Sequence, residues 1–152
     1  MAAAPDHIHA TCIALAGAAV LIRGPSGSGK SDLALRCLAL PPHALWGPSP
    51  QLVADDQVLL TKHDGLLRAA SPATIRGKLE VRGLGILECD AISNAKVCLV
   101  ADLVPPGTTV RFPEQTALVT LFGVDVPHLQ IAPFEQSAPL KLLLALARLA
   151  RG

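Results

Sequence analysis

Gly24-Pro25-Ser26-Gly27-Ser28-Gly29-Lys30-Ser31 is the stretch whose reading decides the fold of this chain. It fits the pattern G-x-x-x-x-G-K-[ST] of a phosphate-binding loop, with Gly27 as a further glycine. Glycine at these positions lets the backbone take positive φ and approach a phosphate closely, so that successive N–H groups converge on the anion at a helix N-terminus. Lys30 then has the reach to bridge β- and γ-phosphate oxygens, and the Ser31 hydroxyl to ligate Mg²⁺. The flanks agree with this reading. Ala18-Ala19-Val20-Leu21-Ile22-Arg23 has the length and branching of a buried strand. Asp32-Leu33-Ala34-Leu35-Arg36-Cys37-Leu38-Ala39-Leu40 is rich in helix formers and is stopped by Pro41 and Pro42.

Outward from the loop, residues 8–15 alternate loosely and read as one strand leading through Ala16-Gly17 into the strand before the loop. His9 falls on it. Residues 41–50 carry four of the chain's prolines and read as a surface loop, with Trp46 either a clasp on the core or an exposed anchor. Residues 51–60 read as a strand interrupted by Asp55 and Asp56; strand alternation would let only one of the two face a given site. Asp64-Gly65 signals a tight hairpin. In residues 79–88 charged and apolar side chains alternate around Gly83 and Gly85. Residues 99–104, 118–122 and 129–132 read as further strands, the last two joined through residues 123–127. Residues 138–150 read as a helix with Leu140, Leu143, Leu144 and Ala147 on one face. The expected count is about eight strands to two helices, more strand than an alternating βαβ nucleotide fold holds.

Composition narrows the function. The 152 residues suit one domain, expected over residues 7–152 behind a flexible N-terminus of residues 1–6. Aromatic residues make up 3% and net charge is +1 without a basic run, which argues against nucleic acid or an anionic membrane as partner. The four cysteines lie too far apart for a C-x-x-C motif and read as free, mostly buried thiols of a reducing compartment. The longest apolar run, residues 12–22, is too short to span a bilayer, and no signal peptide is visible, so a soluble, cytoplasmic protein is expected. His7, His43, His63 and His128 show no metal spacing and read as surface residues.

Four segments in order make the chain resemble the catalytic domain of HPr kinase/phosphorylase, the bacterial enzyme that phosphorylates a serine of the carrier protein HPr. They are His9, the loop itself, Leu52-Val53-Ala54-Asp55-Asp56-Gln57-Val58 and Leu79-Glu80-Val81-Arg82-Gly83-Leu84-Gly85-Ile86, the last matching the family's signature segment. A looser match sets Arg111 upstream of Phe122-Gly123-Val124-Asp125-Val126-Pro127. The resemblance implies an α/β domain with a mixed β-sheet around the phosphate loop, related to the phosphoenolpyruvate carboxykinase fold. It implies ATP bound by Gly24, Pro25, Ser26, Gly27, Ser28, Gly29, Lys30 and Ser31, and Mg²⁺ held by Ser31 and Glu80. By the same resemblance His9, Lys30, Asp55 and Arg111 are catalytic, with Asp55 as the base, and the acceptor is a serine of HPr or an HPr-like phosphocarrier of the phosphotransferase system, in a cytoplasmic homo-oligomer, hexameric in the family.

Two departures bear on these expectations. With only eight residues before His9, the chain looks like the short, catalytic-domain-only form found in some proteobacteria, so the family's N-terminal domain is expected to be missing. Residues 128–137 lack the arginine of the family's P-V-x-x-G-R-N segment, which is tied to dephosphorylation, so the reverse phosphorylase reaction stays open. Two other classes of function remain beside this one: a phosphate-loop kinase of a small metabolite, and a non-catalytic ATP-binding regulatory module.

Overall fold

The computed structural model describes residues 5–109 and 117–151. Among them are eleven strands, two α-helices and one 3₁₀ turn. The strands are β1 (Asp6–His9), β2 (Thr11–Leu15), β3 (Ala18–Arg23), β4 (Gln51–Ala54), β5 (Gln57–His63), β6 (Leu66–Ala70), β7 (Lys78–Val81), β8 (Gly85–Glu88), β9 (Ala95–Leu103), β10 (Ala117–Leu121) and β11 (Val124–Ile131). Helix α1 (Lys30–Leu38) follows the glycine-rich loop and α2 (Ala138–Arg151) closes the described chain.

Nine strands form one mixed, curled sheet in the order β1-β5-β6-β9-β3-β2-β4, with β11 added to β9 and β10 to β11. Strand β9 is its axis. One edge pairs in parallel with β3; the other meets β6 antiparallel at Ala95 and Lys96, then β11 in parallel from Val100 to Leu103. Both faces of the central strands are buried, which explains why residues 12–22 read as an unbroken apolar run. On β2 and β3, Ile13, Leu15, Val20 and Ile22 pack against Leu33 of α1 and Leu142, Leu143 and Leu146 of α2. Cys12, Ala14, Ala19 and Leu21 face the other way, into a cluster with Val58, Leu60, Leu67 and Val126. Helix α1 seats Leu33, Ala34 and Cys37, positions one turn apart, on the first cluster.

Several expectations are corrected. The first strand is two strands, broken at Ala10: β1 pairs with β5 while β2 pairs with β3 and β4. Strand β1 begins at Asp6, and residues 1–4 lie outside the described residues. Residues 124–127 belong to β11, and the turn is Phe122-Gly123, both at positive φ. Pro127 is tolerated there because β11 pairs only with β10 at that point, its pairing to β9 starting at His128. On α2 the buried face carries Ala138, Leu142, Leu143, Leu146 and Ala147, while Leu140 and Leu144 are exposed. Trp46 is the clasp: it is buried, its indole N–H donates to the Pro41 carbonyl at 3.1 Å, and His43 stacks on it. His128 is not a surface residue. Its Nε2 lies 2.7 Å from Asp102, which also takes a two-pronged bond from Arg23 at 2.7 and 2.8 Å, tying β3, β9 and β11 together.

Candidate functional site

The phosphate-loop motif has the geometry its glycines require. Gly27 sits at φ +79° and Gly29, the cap of α1, at +103°. The first helical bond runs from Leu33 N to the Gly29 carbonyl at 2.9 Å, and Ser28 N donates back to Pro25 at 3.1 Å. The free N–H groups of the first turn of α1 therefore face the loop mouth, where partial positive charge favours an anion. Lys30 is buried, and its ammonium donates to the Gly24 and Pro25 carbonyls at 2.8 and 3.0 Å, which holds it across the loop.

The two aspartates divide into different roles. They occupy a turn between β4 and β5, with Asp56 at φ +68°. Asp55 is 6% exposed and each of its oxygens is in use. Oδ1 accepts from Ser31 Oγ at 2.6 Å and Thr11 Oγ1 at 2.9 Å, and Oδ2 accepts from the Glu80 backbone N–H at 2.9 Å. Asp56 is 64% exposed at its side chain and lies 2.7 Å from His9 Nε2. Because the pair is in a turn, strand alternation does not govern it, and Asp56 lines the same cleft as Ser31 while Asp55 lies beneath.

That cleft, of about 630 Å³, is lined by loop residues 26, 27 and 29–31 and by Asp56, Glu80, Arg82 and Phe134 among others. Glu80 and Arg82 come from the separate β7–β8 hairpin, which Leu79 anchors in the core below α1. Arg82 extends over the loop: a Cβ built on Gly27 would lie 3.9 Å from its guanidinium. Of the site residues expected from sequence, the fold thus gathers the loop, His9, Lys30, Ser31, Asp55 and Glu80 around one cleft. Arg111 lies outside the described residues. Sequence reasoning missed Asp56 as the carboxylate facing the cleft, Arg82 as a cation above the loop, and Phe134, whose ring tip lies against Gly29. Arg82 stands in the turn that follows β7, where strand alternation from Glu80 does not place it, and Phe134 carried no signal either.

Among the described residues no three His, Cys, Asp or Glu side chains gather as a ready-made metal cage, and no helix is long and apolar enough to cross a membrane. Burial pushes the Cys37 thiol up to about 12 and Cys12 higher still. For Asp102, burial works upward, but the hydrogen bonds from Arg23 and His128 outweigh it and hold the carboxyl below its ordinary value.

The model of the HPr Serine kinase C-terminal domain family matches residues 1–147. The chain belongs to this family. Similar proteins include the HPr kinase/phosphorylase of Clostridium novyi (strain NT), 39% identical over 90 residues, which is 59% of this chain and 27% of that protein. The HPr kinase/phosphorylase of Chloroherpeton thalassium is 31% identical over 137 residues, 83% of this chain and 38% of that protein. The chain therefore spans well under half the length of these relatives. The solved Hpr(Ser) kinase/phosphatase of Coxiella burnetii superposes with a TM-score of 0.78 at 24% identity, over 96% of this chain and 90% of that one. The mixed-sheet α/β architecture is thus a fold that family members share.

Proposed function

We propose that this chain is an ATP- and Mg²⁺-dependent protein serine kinase that phosphorylates HPr or an HPr-like phosphocarrier. One observation carries the reading: a phosphate loop with its lysine and serine, the Asp56 carboxylate that His9 holds, and a further carboxylate and guanidinium all line a single cleft. Family membership supports HPr or an HPr-like carrier as the acceptor; a cytoplasmic hexamer is the accompanying expectation.

In this reading the loop N–H groups and Lys30 hold the phosphates of ATP, and Lys30 exchanges its loop carbonyls for phosphate oxygens. The substrate serine hydroxyl attacks the γ-phosphorus: a new O–P bond forms, the bond from the γ-phosphorus to the β,γ-bridging oxygen breaks, ADP leaves, and the serine proton passes to a carboxylate. The motif match assigned that proton to Asp55, but the geometry favours Asp56. Asp55 is buried and already accepts three hydrogen bonds, whereas Asp56 is open to the cleft and oriented by His9. Asp55 then acts as a positioning residue. By accepting the hydrogen bond that the Ser31 hydroxyl donates, it leaves the Ser31 oxygen lone pairs for a metal.

The donor set fits Mg²⁺, which binds through one or two protein oxygens plus substrate phosphates rather than through a full protein cage. Ser31 Oγ and the Glu80 carboxylate would hold it, and it would supply charge neutralisation on the phosphates. Arg82, with Arg111 in the role the resemblance gives it, would add positive charge at the transferring group.

The test is mass spectrometry of the host's HPr after incubation with this protein and Mg·ATP. One phosphoryl group on serine, lost with Asp56→Asn, supports the reading. Unmodified HPr alongside phosphorylation by an authentic family member refutes it.

A further inference from the structure

Behind the phosphate loop lies a second cavity of about 420 Å³ that the proposed transfer does not use. Its walls are overwhelmingly apolar and include Pro25, Leu103, Pro105, Pro106, Pro133 and Phe134. Pro25 belongs to the phosphate loop itself, and Phe134 borders both this cavity and the cleft that holds Lys30 and Ser31. We propose that the cavity receives the purine ring of the nucleotide whose phosphates the loop holds, and that Phe134 is the surface on which the ring stacks. The proposal rests on the nucleotide reading above and names the part of the ligand that reading leaves unplaced.

The position of Phe134 is the first argument. Its residue is 70% exposed, an uncommon setting for one of only three phenylalanines in the chain, and the core does not account for it. Yet the residues on either side of it are held. Arg36 of α1 donates to the Pro133 carbonyl, Glu135 N donates to the Ala132 carbonyl at 3.3 Å, and Lys141 of α2 pairs with the Glu135 carboxylate at 2.7 Å. The ring tip rests against Gly29, where a Cβ would come within 2.8 Å of it. An aromatic face that is open to solvent but already positioned loses little freedom when a base stacks on it.

Size and chemistry are the second argument. The volume lies in the range of small-molecule sites, enough for a purine with part of its ribose. Four prolines among its walls offer no N–H donors, and Glu135, the charged residue at its rim, is paired with Lys141. Such walls suit a flat, uncharged ring recognised by stacking rather than by base-edge hydrogen bonds. Ser28 also lines the cavity, and its buried hydroxyl oxygen has no hydrogen-bond partner among the described residues. A ligand hydroxyl or ring nitrogen in the cavity would satisfy it after a rotation about χ1.

Calorimetric titrations of Mg·ATP, Mg·GTP, Mg·CTP and Mg·tripolyphosphate test the proposal. Both purine nucleotides are expected to bind at least about tenfold tighter than tripolyphosphate, and tighter than CTP. Phe134→Ala should remove most of that advantage, and Phe134→Tyr should retain it. Pro106→Trp, on an exposed loop where folding is not at stake, should fill the cavity and weaken ATP while sparing tripolyphosphate. ATP binding no tighter than tripolyphosphate, or keeping its advantage in both Phe134→Ala and Pro106→Trp, overturns the base pocket. If tripolyphosphate and ATP both fail to bind, the phosphate-loop reading beneath it falls instead.

Discussion

Replacing each of the two aspartates by asparagine should separate a structural carboxylate from a chemical one. Asp55 accepts three hydrogen bonds at 2.6, 2.9 and 2.9 Å from a site that is almost closed to water. Hydrogen bonds to a charged acceptor contribute about 1.5–3 kcal/mol each and neutral ones about 0.5–1.5, so the two hydroxyl bonds should weaken by about 1 kcal/mol apiece. The asparagine amide also sets an N–H₂ donor against donors. If it faces Glu80, the backbone N–H there is orphaned at a further cost of about 1–3 kcal/mol. If it faces the hydroxyls they can rotate to accept it, which lowers the total but turns the Ser31 lone pairs away from the cleft. Asp55→Asn should therefore cost about 2–5 kcal/mol, a fall of about 5–15 °C in melting temperature for a chain of this size. Asp56 makes one bond, to His9, and both side chains are largely open, so Asp56→Asn should cost no more than about 1 kcal/mol. Its effect should fall on phosphoryl transfer, by about 10²–10⁴-fold for loss of a general base. Thermal unfolding followed by circular dichroism and single-turnover phosphoserine formation measure the two axes. An Asp56→Asn protein that transfers at the wild-type rate, or an Asp55→Asn protein that melts with the wild type, refutes the division of roles.

Helix α2 gives a contrast of faces: Leu142→Ala or Leu146→Ala should destabilise by about 2–5 kcal/mol in urea titrations, while Leu144→Ala should stay within about 0.5. Equal losses on both faces would contradict the observed packing. Asp102 predicts a pH effect. Its folded carboxyl lies below the ordinary 3.8, so its contribution to stability is complete above 3.8 and is lost as pH falls through the depressed folded value. Asp102→Asn should flatten that part of the acid limb in a pH series of denaturation curves, and an unaltered limb would argue against the ion-pair cluster. Iodoacetamide at pH 8 should leave Cys12 and Cys37 of the native protein unmodified and label the partly exposed Cys89 first, with all four reacting in denaturant. Labelling of native Cys37 as fast as Cys89 would contradict its burial.

The glycine-rich turn from strand to helix was legible because its signal is local: glycine spacing and a helix start are written in consecutive residues. The Asp64-Gly65 hairpin was legible for the same reason, both residues taking the positive φ that such a turn requires. What escaped was set by distant partners. Helix α2 is leucine-rich around most of its circumference, so which stripe is buried depends on β3, β9 and α1 rather than on its own pattern. Pro127 looked like a terminator because nothing in the sequence says that β11 has only one neighbour at that point. How Asp55 and Asp56 are placed escaped as well: the expectation that alternation lets only one of them face a given site holds only while the strand continues, and here the pair sits in a turn.

The break at the aspartates is matched by the break at Ala10, and the two are one feature. Ala10 N donates to the Asp56 carbonyl at 3.2 Å, between the register pairs His9↔Gln57 and Cys12↔Ala54. Had β4 run unbroken into β5, the two aspartates would point to opposite faces, one of them into the apolar cluster of Val53 and Val58, where an ionised carboxylate has no partner. Interrupting both chains at the same level frees Asp55 and Asp56 from alternation. It brings Thr11 under Asp55 and His9 beside Asp56, so that one carboxylate holds Ser31 from below while the other faces the cleft. The paired interruption is therefore the device that lets two adjacent acids serve a single site.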